Sequence, residues 1–208
     1  MEAATPRPLR ADAARNERLL LAAAREAFTE EGFDVSVEEI ARRAGVGKGT
    51  VYRRFETKEA LAWAALHDVV ADFETAADQA VENDDAWEAL RTFIRGRALA
   101  IAREGAFFEA MEARFLITED NQREIMERVL AGCTRVLKHA QAAGVVRADL
   151  EPEDVSAMFK MVAVPCKPRP GVALTPEGID RYLTLVLDGA KPRADAEPLP
   201  GVPPSPLG

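Results

Sequence analysis

The chain has 208 residues, 48% of them apolar and 30% charged, which suffices for one substantial core or two modest ones and excludes both a peptide-sized scaffold and a fully disordered chain. No apolar run approaches the roughly 18 residues of a membrane helix. The stretch around Arg7, Arg10, Asp12 and Arg15 lacks the apolar core of a signal peptide, so a soluble, cytoplasmic protein without a membrane partner is expected.

The 27 basic and 35 acidic side chains leave a net charge of −8, which argues against a nucleic-acid partner until the charges are placed along the chain. Residues 1–62 hold 11 of each sign, so the whole excess of acid lies beyond them. Within that neutral part, Arg42, Arg43, Lys48, Arg53, Arg54 and Lys58 face only Glu38, Glu39 and Glu56, a basic patch of +3.

Apolar spacing reads as helix almost throughout, and no run of alternating β-branched residues calls for a sheet, so the expected fold class is all-α with nine helices. The first, roughly residues 10–31, lines up Leu20, Ala24, Ala27 and Phe28 and stops at Gly32. Ser36-Val37-Glu38-Glu39 then reads as a capping box, with Val35 and Ile40 in the two positions of a hydrophobic staple. The second helix buries Val37, Ile40, Ala41 and Ala44 and ends at Gly45. A third runs from about Lys48 to Phe55.

Thr57 caps a fourth helix that is apolar over a wide arc, with Leu61, Ala65, Val69 and Phe73 on one side and Trp63, Leu66 and Val70 on another. Such a helix suits a rigid joint, so the boundary is placed near residue 62. Residues 1–62 form an arm and a first domain, and 63–188 a second. Trp87, Leu90, Ile94 and Ile101 mark a fifth helix, Phe107, Met111 and Phe115 a sixth, and Ile125, Val129, Val136 and Ala140 a seventh ending at Gly144. The eighth runs from Pro152 through Val155, Met158, Phe159 and Val162 to Pro165, and residues 165–171 are expected as a stiff loop. Thr175-Pro176 opens the ninth, with Ile179, Tyr182, Leu183, Val186 and Leu187 on one face. Six prolines and few large apolar residues in 189–208 read as a disordered tail.

Two short helices joined by Gly45-Val46-Gly47 meet the requirements of a helix-turn-helix DNA reader, whose second helix lies in the major groove. On a wheel of about 100° per residue, Val51 and Phe55 face the core. Gly49, Thr50 and Arg53 face outward, flanked by Tyr52 and Arg54. Gly49 lets the backbone come close to DNA, Thr50 suits a phosphate or base edge, Tyr52 presents a hydroxyl to phosphate, and Arg53 can form a bidentate pair with guanine. Lys58, in the first turn of the fourth helix, can join the amides there in holding a phosphate.

The string GVGKGTVYRRFETKEAL at 45–61, preceded by SVEEIARRA, resembles the recognition segment of the tetracycline-repressor (TetR) family of bacterial transcription regulators, over about Leu19 to Leu66. That resemblance implies a three-helix DNA-binding head, a connecting fourth helix and a C-terminal ligand and dimerisation domain. It implies base or neighbouring phosphate contacts for Lys48, Gly49, Thr50 and Arg54, phosphate anchoring for Tyr52 and Lys58, and a backbone contact for the Ser36 hydroxyl. Gly47 departs from the pattern, since many members carry a serine cap there. The family works as homodimers, which implies a four-helix bundle of the eighth and ninth helices with their symmetry mates. The continuous apolar faces of those two helices also ask for a partner or complete a monomer's core, and Val155, Phe159, Val162, Tyr182, Leu183, Val186 and Leu187 are the expected interface.

A small-molecule effector between the fourth to eighth helices is implied in the same way. Trp63, His67, Phe93, Phe107, Met111, Phe115, Met126 and Met158 supply aromatic or flexible lining suited to an apolar or aromatic compound, although each reads as core before it reads as ligand contact. No cofactor is called for. His67, His139 and Cys133 lack metal-ligand spacing, and Cys133 and Cys166 form no CxxC. The expected function is therefore a ligand-responsive regulator, a repressor on a palindromic operator. The alternative is an architectural DNA binder without small-molecule control. An enzyme is not expected, for want of a nucleophile, base, phosphate loop or metal set at suggestive spacing.

Overall fold

A computed structural model describes residues 7–114, 116–167 and 175–205, with side chains from residue 15 onward. Among the described residues every regular element is helical: α1 (Arg7–Glu31), a 3-10 turn (Gly32–Asp34), α2 (Val37–Arg43), α3 (Lys48–Arg54), α4 (Lys58–Val81), α5 (Ala86–Ala113), α6 (Glu119–Ala142), α7 (Pro152–Cys166) and α8 (Pro176–Ala190).

Local chemistry sets most of the boundaries. The hydroxyls of Ser36, Thr57, Thr118 and Thr175 each accept the amide three residues on and so start α2, α4, α6 and α8. At the end of α2, Gly45 adopts φ +68°, which allows Gly45 N–H to reach Arg42 O at 3.2 Å and Val46 N–H to reach Ala41 O at 3.0 Å. That double closure turns the chain sharply toward α3.

Three expectations change. The fifth and sixth helices are one continuous α5, because only Gly105 interrupts the pattern, and its cost of about 1 kcal/mol against alanine is outweighed by burial of Ala98, Ala102, Phe107 and Met111. A Cβ at Gly105 would stand 3.0 Å from Lys167 Cε, so the missing side chain makes room for that lysine. Second, α7 carries on past Pro165 to Cys166, since a proline in the last turn forfeits only one helical hydrogen bond. Residues 168–171 of the expected loop lie outside the described residues, as does Phe115. Third, the segment after Ala190, expected to be disordered, has no helix among its described residues yet is fastened. Arg147 donates to Ala190 O at 2.9 Å and to Glu197 O at 2.7 Å, while Leu199 N–H donates to Asp149 Oδ2 at 2.9 Å.

The chain divides into two compact units, one of Met1–Val69 with Ala106–Leu116 and one of Val70–Gly105 with Ile117–Gly208. In the first, Phe28 stacks on Phe33 at 5.1 Å and on Phe107 at 5.8 Å, and Leu61, Leu66 and Met111 are closed to solvent. In the second, Phe73 meets the edges of Phe93 and Phe159 at 5.3 and 6.1 Å. Gly132 of α6 is pressed so closely on Phe73 that a Cβ would lie 2.6 Å from its ring.

Candidate nucleic-acid interface

The first unit presents α3 on a rigid base. Val51 and Phe55 are 1% and 9% exposed and anchor the helix inward, whereas Lys48, Gly49, Thr50, Tyr52, Arg53 and Arg54 all face solvent. Gly47, the residue that starts α3, gives no side-chain cap; its carbonyl accepts Thr50 N–H at 2.8 Å. Nothing lies within 4 Å of where a Gly49 Cβ would sit. Packing within this chain therefore leaves the choice of glycine there unexplained, whereas a partner that must approach the backbone explains it.

Arg43, largely buried, ties α2 to α1. Its guanidinium bonds Glu39 at 2.9 Å, Glu30 at 2.7 Å and also Glu31. Arg42 pairs with the same Glu39 at 2.6 Å. The two guanidiniums, Arg42 first, pull the Glu39 carboxyl from an ordinary 4.5 down to about 2. The capping box is consequently half made: Ser36 accepts Glu39 N–H at 3.1 Å, but the Glu39 carboxylate goes to the two arginines instead of the cap amide.

The cations expected to reach DNA have partners inside the unit. Lys48 Nζ bonds Glu38 Oε1 and lies 5.6 Å from the Tyr52 ring. Arg54 grips Glu17 of α1 with N–O distances of 2.6–3.0 Å. Arg53 donates to Thr50 Oγ1 at 3.1 Å. Lys58 donates to Phe33 O at 2.5 Å and Val35 O at 3.0 Å with its ammonium 4.9 Å from the Phe33 ring, so it also pins α4 to the 3-10 turn. Glu17 was not singled out from the sequence and Glu38 was only counted against the basic patch; the pairing of each with an end of α3 is a relation that no local pattern carries.

The residues expected to line an effector site fall in both units. Phe107 and Met111 are fully enclosed in the first unit, where Phe107 stacks on Phe28. Trp63, half-buried, and His67, exposed, sit in the same unit with ring centroids 5.9 Å apart. Phe93 and Met158 are core of the second unit, and Met126 is half-buried there. The second unit also holds polar atoms that the sequence did not flag. Arg97 Nε and Ser156 Oγ are buried without a hydrogen-bond partner, and the Arg97 guanidinium lies 5.6 Å from the Phe73 ring. Burial lowers the pKa of Arg97 and pushes the Cys133 thiol up to about 12, which leaves Cys133 inert at neutral pH.

The expected dimer face needs correction. Val155, Phe159, Val162, Leu183 and Leu187 are at most 3% exposed and belong to this chain's own core. The strongest apolar stripe of each helix is the one turned inward. Another stripe is bare: Met161 and Val164 on α7 and Tyr182 and Leu185 on α8 are 53%, 57%, 38% and 61% exposed. Val186 is half-buried against the core.

Among the described residues no helix is long and apolar enough to cross a membrane. The family described as bacterial regulatory proteins, tetR family, matches residues 20–65, and the SbtR-like transcriptional regulator C-terminal domain matches residues 85–192. No curated protein matches the chain. Among solved structures, a TetR transcription regulatory protein from Mycobacterium vanbaalenii is 34% identical, covering 88% of this chain and 99% of its own, with a TM-score of 0.72. A TetR transcriptional regulator from Streptomyces coelicolor is 32% identical over 86% and 99%, with a TM-score of 0.73. SmeT, the repressor of the Stenotrophomonas maltophilia multidrug efflux pump SmeDEF, shares the fold at 21% identity over 88% and 97%, with a TM-score of 0.59.

Proposed function

The chain belongs to the TetR family of DNA-binding transcriptional regulators, and we propose that it acts in the cytoplasm as a homodimeric repressor on a palindromic operator, released by a small apolar or aromatic effector. The observation that carries this reading is the outward face of α3, where Lys48, Gly49, Thr50, Tyr52, Arg53 and Arg54 are all exposed while Val51 and Phe55 lock the helix in place. Ser36 and Tyr52 supply hydroxyls to phosphates beside it, and Arg53 with Thr50 supplies the base-reading pair.

The second copy docks on Met161, Val164, Tyr182 and Leu185, an apolar face that costs free energy while wetted and regains it on pairing. Effector binding belongs to the second unit, where Arg97 lies 5.6 Å from the Phe73 ring of the aromatic cluster and both Arg97 Nε and Ser156 Oγ are buried without a hydrogen-bond partner, polar handles of the kind that orient a ligand. Release follows if the effector binds the DNA-incompetent state more tightly than the competent one. The match of residues 85–192 to a regulator's C-terminal domain favours this over an architectural role.

In-vitro selection from a random-sequence duplex pool at physiological salt tests the reading. Enrichment of one palindromic motif is the expected result. Retention without any motif would overturn it in favour of architectural binding.

A further inference from the structure

The two cations at opposite ends of α3 are each held by a carboxylate from a different helix. Lys48, the first residue of α3, bonds Glu38 in the first turn of α2, and Arg54, the last, is forked onto Glu17 of α1. Arg42 and Arg43 are likewise committed to Glu39, so much of the basic patch read from the sequence is neutralised from within.

These two pairs do little for the fold. The side chains are 50% and 54% exposed in one and 60% and 33% in the other, a setting in which an ion pair contributes next to nothing to stability. Nor do they organise the helix, which is anchored by Val51 and Phe55. What they occupy is the exposed face of α3 that the DNA-binding reading assigns to the duplex.

Resting on the DNA-binding reading above, we propose that Glu17 and Glu38 are built-in competitors of DNA phosphate, which restrain the binding of unmatched duplex by holding Arg54 and Lys48. For such DNA, engaging either cation exchanges a carboxylate for a phosphate, so one charge contact is lost for each one made. A neutral pair also releases almost no condensed counterions, whereas a free cation releases about 0.9 per phosphate neutralised. Both effects lower the loading of random sequence. A matched site can still draw the cations out, because the base-edge hydrogen bonds of Arg53 and Thr50 form only there and offset the loss of the two carboxylate contacts.

The experiment measures binding of the full chain to a random-sequence duplex across a salt series, for the wild type, Glu38→Gln, Glu17→Gln, Lys48→Gln and the double variant Glu38→Gln/Lys48→Gln, with helicity checked by circular dichroism. Each single glutamate variant is expected to bind roughly 2–5-fold tighter and to steepen the log–log salt slope by up to about 0.9. The Glu38→Gln effect should vanish in the Lys48→Gln background. An unchanged affinity and slope would overturn the proposal, as would an undiminished gain in the double variant, which would mean only a general loss of negative charge. A wild-type chain that binds no duplex even at low salt would overturn the DNA-binding reading itself.

Discussion

Gly49 carries more functional information than any charged residue of α3, because its two possible roles demand opposite outcomes. Open space surrounds the position of its missing Cβ, so alanine fits and improves helix propensity by up to about 1 kcal/mol. If the glycine is there to let DNA approach, the same methyl group must collide with the duplex. Gly49→Ala is therefore expected to raise the melting temperature of the protein while weakening binding to its selected duplex, read from paired thermal and binding titrations. A variant that gains stability and keeps its affinity would remove Gly49 from the interface. Which residues of α3 point outward was legible from the sequence, since Val51 and Phe55 share one face four residues apart and fix the rotation of the helix. Their partners were not: Glu17 is 37 positions from Arg54, and Lys58 spends two of its three N–H groups on the carbonyls of Phe33 and Val35, which no side-chain pattern encodes.

At the scale of the elements, α2 is fixed to α1 by charge as well as by Ile40 and Val37. The Glu39 carboxyl sits at about 2 in the folded chain against an ordinary 4.5, so the folded state binds its proton less readily. A lowered carboxylate stabilises fully above the unfolded value, and the contribution fades as the pH falls from about 4.5 through 2. The melting advantage of the wild type over Glu39→Gln should accordingly be full near neutral pH and shrink steadily below 4.5. An advantage independent of pH would show that the arginine network contributes nothing through charge. The helix ends were readable in the same chemical terms, with Ser36, Thr57 and Thr175 capping where expected. The continuity of α5 was not, because the apolar positions at 87–101 and at 107–115 read as well for two helices as for one.

The two faces of α7 and α8 show where periodicity stops informing. Both helices are apolar on more than one side, and spacing alone ranks the richer stripe first, which here is the one buried in the chain's own core. Substituting each stripe separates core from interface. Leu185→Glu is expected to leave circular dichroism unchanged and halve the mass in sedimentation, since the residue is 61% exposed. Leu183→Glu, at 1% exposure, buries an unpaired charge and is expected to unfold the second unit. A Leu185→Glu chain with the mass of the wild type would place the partner elsewhere.

For the whole molecule, the net charge of −8 conceals a head whose basic groups are balanced by its own carboxylates, so the DNA-binding reading proposed above asks a few groups of α3 and its neighbours, not bulk charge, to supply the affinity. The effector site was the least legible part, for a physical reason: large apolar side chains that could line a cavity are the same ones that fill a core, and Phe107 and Met111 do the latter. What joins head, interface and regulation is the claim that two copies read DNA together. Hydroxyl-radical footprinting on the most enriched duplex tests it most directly. The account predicts two protected tracts related by a dyad and centred about one helical turn, ~34 Å, or a multiple of it apart. A single unsymmetrical tract, or uniform protection along the duplex, would contradict it.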